Sequence, residues 1–270
     1  MLRVMVSVSI LASGSRGNCT IISSSRTRIL VDAGLSARET FRRMSMVGES
    51  PSSLSAIVIS HEHSDHVGGL CTLAKKLRVP VYMTGAAHQA FERAEHDPER
   101  EEPAVKNCEY FHAGSGFQIG DISVMPFTIP HDAADPVAFT FRLEGMKVGV
   151  VTDLGYMPRN VAQQIRGCDV LMIESNHDLE MLRIGPYPWS VKQRVMSRLG
   201  HLSNDALADF IRNEYDGGAA FVVLAHLSEH NNHPEIARTA AERALSDRRS
   251  LLQNRLMLAS QLEPMEPLRF

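Results

Sequence analysis

Five apolar runs in this chain each lead into a residue able to ligate a metal. RILV (28–31) runs into Asp32, LSAIVIS (54–60) into His61, and the run ending at Ile129 and Pro130 into His131. KVGVVT (147–152) runs into Asp153, and AAFVVLA (219–225) into His226. Short runs rich in β-branched residues and bounded by polar ones read as buried strands. Five ligand-type exits in one chain are hard to assign to chance. In layered α/β folds the loops leaving strand ends on one edge share a cleft, which is where such residues can meet.

Further strands are expected at 3–11, 20–23, 79–84, 137–143 and 170–174. A helix is predicted from Ser36, where Glu39 completes a capping box and Gly48 marks the stop. Apolar spacing predicts others at 67–77, 86–95, 158–165, 191–199, 204–215 and 234–244. Residues 96–106 read as an exposed polar loop, and Met44, Met46, Met125, Met172 and Met196 as core filler. Two sets of strands, each followed by helices, define an α/β layered fold. Residues 1–246 are expected to form one domain and 247–270 a surface helix or tail.

Composition narrows the function classes. A chain of 270 residues, 44% hydrophobic and 22% charged, is globular. Its formal charge of -3 excludes a basic nucleic-acid coat, although not a local basic patch. No apolar run approaches the roughly 20 residues a membrane helix needs. The first residues lack a signal peptide's apolar core, and four scattered cysteines without a CxxC pair exclude a thiolate zinc knuckle. A reducing cytoplasm is the expected compartment. Nothing in the sequence fixes an oligomeric state.

The densest signal is His61-Glu62-His63-Ser64-Asp65-His66. Mixed imidazole and carboxylate donors suit zinc or manganese, with iron also possible. Ligand counting gives one ion His61, His63 and His131, and a second ion Asp65, His66 and His226. Asp153 can bridge the two with its two oxygens. Asp32 is expected to orient a ligating imidazole through its other ring nitrogen. Two divalent cations so held lower the pKa of water and neutralise charge on a phosphoryl oxygen. His88, His96 and His112 fall away from this spacing and read as surface residues; His230 and His233 flank His226 without standing at the strand exit.

The ordered set Asp32, HEHSDH, His131, Asp153 and His226 resembles the metallo-β-lactamase superfamily, over about residues 11–244. The resemblance implies a four-layer αββα sandwich with a dinuclear site at one edge. A β-lactam substrate is disfavoured, because Asp153 stands where antibiotic-hydrolysing members commonly carry a cysteine. LASGSRGN, SHEHSDH, ESNHD, GHLSN and AHLSEHNN further resemble the YycJ/WalJ-like branch of bacterial DNA 5′-to-3′ exonucleases. The order Asp153, Glu174, His201, His226 is similar to that of ribonuclease Z. That likeness implies that Glu174 orients His201 and that His201 assists the leaving oxygen, with Asp65 also in the catalytic set. The stretch between Asp153 and His201 is too short for the inserted cap of the β-CASP nucleases, and no exosite arm of the ribonuclease Z kind is visible.

Ser13, Ser15 and Asn18 in the Gly/Ser loop, with Asn176, His177 and Asn232, are expected to seat substrate phosphates. Trp189 could stack a base or anchor the next helix. Lys192, Arg194 and Arg198 could form a phosphate-facing stripe or a solvated helix face. The function expected is phosphodiester hydrolysis, with DNA as partner and no membrane. Two rivals stand beside it. Hydrolysis of a small ester, lactone or thioester leaves the Glu174–His201 pair without a task. An iron-bearing redox or binding protein lacks a visible flavin segment.

Overall fold

Strand side chains alternate between two environments, and that alternation builds the layers. In a computed structural model that describes residues 6–95, 102–246 and 254–270, two seven-stranded sheets pack face to face. The first has the order β14-β1-β2-β3-β4-β5-β6. Its strands are β1 (Ser7–Ala12), β2 (Cys19–Ser23), β3 (Arg28–Val31), β4 (Ala56–Val58), β5 (Val81–Thr84), β6 (Cys108–Phe111) and β14 (Leu268–Arg269). The second, β13-β12-β11-β10-β9-β8-β7, contains β7 (Phe117–Ile119), β8 (Ile122–Thr128), β9 (Val137–Leu143) and β10 (Met146–Val151). It is completed by β11 (Val170–Glu174), β12 (Phe221–Ala225) and β13 (Arg255–Leu258).

Ile29 and Val31, with Ala56 and Val58, face Val148, Val150, Val170 and Met172 across the gap between the sheets. Their neighbours point the other way. Leu30 and Ile57 pack beneath helices α1 (Ala37–Met46), α3 (Leu70–Leu77) and α4 (Gly85–Ala94). Val151, Leu171 and Ile173 pack beneath α5 (Arg159–Gln164), α8 (Asn204–Asn213) and α9 (Pro234–Ser246). Strands buried on both faces explain why these runs are almost wholly apolar. The result is the expected αββα sandwich.

Direction places the site. β3 to β6 run parallel, as do β10 to β13, and β8 shares the direction of β10 because β9 is antiparallel to both. All the ligand-bearing strand ends therefore open on one edge.

The predicted cap at Ser36 forms, with Ser36 Oγ accepting from Glu39 N at 3.3 Å. Glu39 does not close the box, because Arg42 and Arg43 take its carboxylate. The C-terminal expectation needs correction. Among its described residues, the segment gives edge strands to both sheets: β13 pairs with β12, and β14 with β1. β13 is half-exposed along its length and β14 buries only Leu268, so neither carries the apolar alternation that marks inner strands. Met44 and Met172 are core residues, whereas Met46 and Met196 are exposed. His96 lies outside the described residues.

Candidate metal centre

β3 ends at Val31, and Asp32 turns back at φ 60° to accept the Ser60 N–H at 2.8 Å. Asp153 (φ 64°) and His226 (φ 54°) take the same left-handed conformation after β10 and β12. Such strain, about 1–3 kcal/mol per residue, clusters at functional sites. The loop after β4 folds into the single turn α2 (Ser64–Val67), which carries Asp65 and His66. Gly34 lets that turn approach, since a Cβ there would lie 1.7 Å from Asp65 O.

Three ligand-type groups result among the described residues. His61, His63 and His131 form the first constellation, Asp65, His66, Asp153 and His226 the second, and Asp153 and His226 also gather with Glu174 and His201. Hydrogen bonds fix the lone pairs. His131 Nδ1–H donates to Gly200 O at 3.2 Å, which leaves Nε2 as a base 3.2 Å from His63 Nδ1. His61 Nδ1 bonds Ser60 Oγ at 3.0 Å, while its Nε2 is buried without a partner. Burial and the neighbouring His66 hold His61 well below the usual imidazole range, so it is a neutral ligand. An orphan buried base facing two other imidazoles is what a cation would satisfy.

The second constellation is more anionic. His66 Nδ1–H donates to Asp32 Oδ2 at 2.8 Å, turning Nε2 towards Asp65 Oδ2 (3.4 Å) and Asp153 Oδ2 (3.3 Å). His226 Nδ1–H donates to Glu174 Oε1 at 2.8 Å, placing Nε2 3.3 Å from Asp65 Oδ2. Asp153 Oδ2 is buried and takes no hydrogen bond, and Oδ1 lies 3.9 Å from His131 Nε2. Oδ1 also lies 3.4 Å from His226 Nδ1, so the carboxylate stands between the two constellations, within reach of both. Burial disfavours charge on His66, but Asp32, Asp65 and Asp153 outweigh it and raise the imidazole well above its usual range. Burial likewise opposes charge on His226, and Asp153 and Glu174 among others overcome it. The protons drawn into this carboxylate cage mark where positive charge is favoured. The donors fit divalent ions of the zinc, manganese or iron kind.

Glu174 ends β11, where Oε2 accepts from Leu154 N and Leu202 N. Oε1 accepts from both His226 Nδ1–H and His201 Nδ1–H, each at 2.8 Å. Burial opposes its charge, but His201 and His226 hold the carboxyl at about 2. In return Glu174 overcomes the burial of His201 and raises that imidazole above its ordinary value. His201 comes after α7 (Trp189–Val195), where a tight turn bonds His201 N to Val195 O at 2.9 Å. Gly200 permits the turn, because a Cβ there would sit 2.1 Å from Val195 O. The ring stands at the wall of a cleft of about 170 Å³, with His63, Asp65, Asp153 and His226.

The expected phosphate seats are mostly braces. Ser13, Asn18, Asn176, His177 and Asn232 are all buried. Ser13 Oγ accepts from His226 N, and Asn18 Nδ2 donates to Asp65 Oδ2 at 3.1 Å. Asn176 Nδ2 donates to His226 O, and Asn232 Nδ2 to the carbonyls of Ser175 and Asn176. Burial pushes His177 down to about 4. Loops crowded with buried backbone groups need such partners. Of the six, only Ser15 lines the cleft. Glu62 turns away to accept from Ala134 N, and His88, His112, His230 and His233 lie outside the constellations. Sequence reasoning missed Asp132, which lines the cleft; no strand exit or motif marked it beyond adjacency to His131. A larger hollow of about 670 Å³, beside α3, contains no ligand constellation among the described residues.

Asp32 holds His66 Nδ1–H at 2.8 Å and would act through that ring on a metal ligated by Nε2. Asp32→Asn keeps a residue tolerant of positive φ and removes the carboxylate charge. The expected result is metal affinity lower by about 10- to 100-fold with the fold intact. Titration with a competing chelator measures it, and unchanged affinity would refute this role.

A model of the beta-lactamase superfamily domain matches residues 27–227, and the chain belongs to the metallo-β-lactamase superfamily. Its fold and sequence place it in the YycJ/WalJ-like branch, and it is a metal-dependent hydrolase. It is 37% identical over 244 residues to the exodeoxyribonuclease YycJ of Bacillus anthracis, covering 89% of each chain. Identity to the exodeoxyribonuclease WalJ of Streptococcus pneumoniae is 37% over 229 residues, covering 85% of this chain and 84% of that one. The Zn(2+)-bound PqqB of Methylobacterium extorquens shares the fold, with a TM-score of 0.69 at 15% identity over 96% of this chain and 99% of that one. Among the described residues, no helix is long and apolar enough to cross a membrane.

Proposed function

We propose that this chain is a dinuclear-metal-dependent phosphodiester hydrolase that degrades DNA from the 5′ end in the cytoplasm. One observation carries the chemistry. Beside the ligand constellations, Glu174 bonds His201 Nδ1 at 2.8 Å, which leaves Nε2 as the ring nitrogen available to a substrate in the cleft. The DNA substrate and the polarity rest on the likeness to the named exodeoxyribonucleases.

One ion would be held by His61, His63 and His131, the other by Asp65, His66 and His226, with Asp153 shared. Two divalent ions there supply Lewis acidity to a phosphoryl oxygen and lower the pKa of water. The chain's own groups do the rest. Asp32, Gly200 O and Glu174 fix the tautomers of His66, His131 and His226, so that each turns Nε2 inward. Glu174 favours the cationic form of His201 and aims it. His201 then gives its Nε2 proton to the departing 3′ oxygen as the phosphorus–oxygen bond breaks. It is left neutral, still bonded to Glu174 through Nδ1–H. A thioester, by contrast, releases a weakly basic thiolate that has less need of this proton.

The test is digestion of duplex DNA labelled at either end, with manganese or zinc, alongside single-stranded RNA. Mononucleotides released first from the 5′ end are expected, with loss of activity on chelation and in Asp65→Ala. Digestion that survives both treatments would defeat the mechanism. Cleavage of RNA in preference to DNA would defeat the substrate assignment.

A further inference from the structure

The cleft is rich in carboxylates, yet a phosphodiester brings negative charge. Asp65, Asp132 and Asp153 line it, and among its described lining residues Arg194 is the one lysine or arginine. Val191, Arg194 and Val195 share one face of α7, at the helical spacings i, i+3 and i+4. That face is the cleft wall.

The other basic residues of the segment are engaged elsewhere. Lys192 is buried, and Nζ donates to Arg183 O at 2.8 Å. Arg198 lies over the Tyr156 ring, 4.2 Å from its centroid. The expected stripe is thus divided among three tasks. Trp189 starts the helix about half a turn away from Val191, which separates it from the cleft face.

Arg194 Nε donates to Asp132 Oδ2, and Asp132 adjoins the ligand His131. That bond ties the guanidinium to the loop carrying a metal ligand. It uses one edge of the planar fork and leaves the two terminal amino groups, on a side chain 62% exposed.

We propose that Arg194 grips a phosphate of the nucleic-acid strand at the cleft mouth, with Asp132 as the positioning residue that sets the guanidinium plane. The proposal rests on the phosphodiesterase reading above. The phosphate is either the strand's terminal one or an internal one, and 5′-phosphorylated and 5′-hydroxyl substrates distinguish them.

Steady-state kinetics of the metal-loaded parent, Arg194→Ala and Arg194→Lys provide the test, repeated over a range of salt concentrations. Loss of a charged hydrogen-bond donor should raise KM about tenfold or more, with the loss falling on KM rather than kcat. Each neutralised phosphate contributes about 0.9 to the log–log salt slope, so Arg194→Ala should flatten the dependence of kcat/KM by about one. Arg194→Lys should restore the slope while leaving KM above the parent, because lysine lacks the fork. If the KM effect vanishes on 5′-hydroxyl ends, the phosphate gripped is terminal; if it persists, it is internal.

An unchanged KM and salt slope in Arg194→Ala would overturn the proposal while leaving the phosphodiesterase reading intact. So would a fall in kcat accompanied by metal loss in elemental analysis, which would mark a structural role. A parent that cleaves no nucleic acid would overturn both.

Discussion

Asp153→Asn is expected to lower turnover by a factor on the order of 10³ or more and to reduce the bound metal from two ions towards one or none. The magnitude follows from transition-state charge stabilisation of several kcal/mol, at about 1.4 kcal/mol per factor of ten. Oδ2 of Asp153 lies 3.3 Å from His66 Nε2, and Oδ1 3.9 Å from His131 Nε2. The substitution keeps size and a residue tolerant of φ 64°. It replaces one of two facing oxygens by an amide nitrogen, which has no lone pair to give a cation. Whichever way the amide turns, one of the two donor oxygens and the carboxylate charge are lost. Elemental analysis of purified protein reads the ion count. Thermal unfolding gives a second readout, because ions that bind only the folded state raise its stability. Chelation should therefore lower the Tm of the parent more than that of Asp153→Asn. Two ions and parental activity in the variant would remove the bridge from the scheme.

The first layer of the site was legible because two independent regularities coincide at it. Runs such as KVGVVT and AAFVVLA are apolar on both sheet faces, so their ends stand out sharply, and each runs into Asp153 or His226. Edge strands lack that contrast. The side chains of β6 and β13 are largely half-buried or exposed, and neither segment carried an alternation strong enough to be read. Polar loops mislead in a different way. Asn18 and Asn232 have the composition of phosphate seats, but their role follows from which backbone and ligand groups become buried around them. Burial of a loop is a tertiary outcome with no local signature. The Arg194–Asp132 pair is of the same kind, since its members are distant in sequence and meet only when α7 packs beside the loop after β8.

The second large effect concerns the proton, and it separates the ligand residues from the group that serves the leaving oxygen. His201→Ala should keep the metal content of the parent: the ring shares a ligand-type group with Asp153, Glu174 and His226, but its Nδ1–H, like that of His226, is spent on Glu174 Oε1 at 2.8 Å. Its turnover on DNA should nonetheless fall by about 10²–10⁴, the range a positioned general acid contributes. Leaving-group chemistry makes the role testable. A departing deoxyribose oxygen is strongly basic and needs a proton as its bond breaks, whereas p-nitrophenolate leaves readily without one. On thymidine 5′-p-nitrophenyl phosphate the same variant should therefore approach the parent to within about tenfold. A variant of Glu174 cannot give so clean an answer, because that carboxylate also holds His226, and its loss should disturb metal binding too. If His201→Ala lost as much activity on the activated ester as on DNA, the ring would be acting on binding or on the metal environment. The leaving oxygen would then draw its proton from elsewhere.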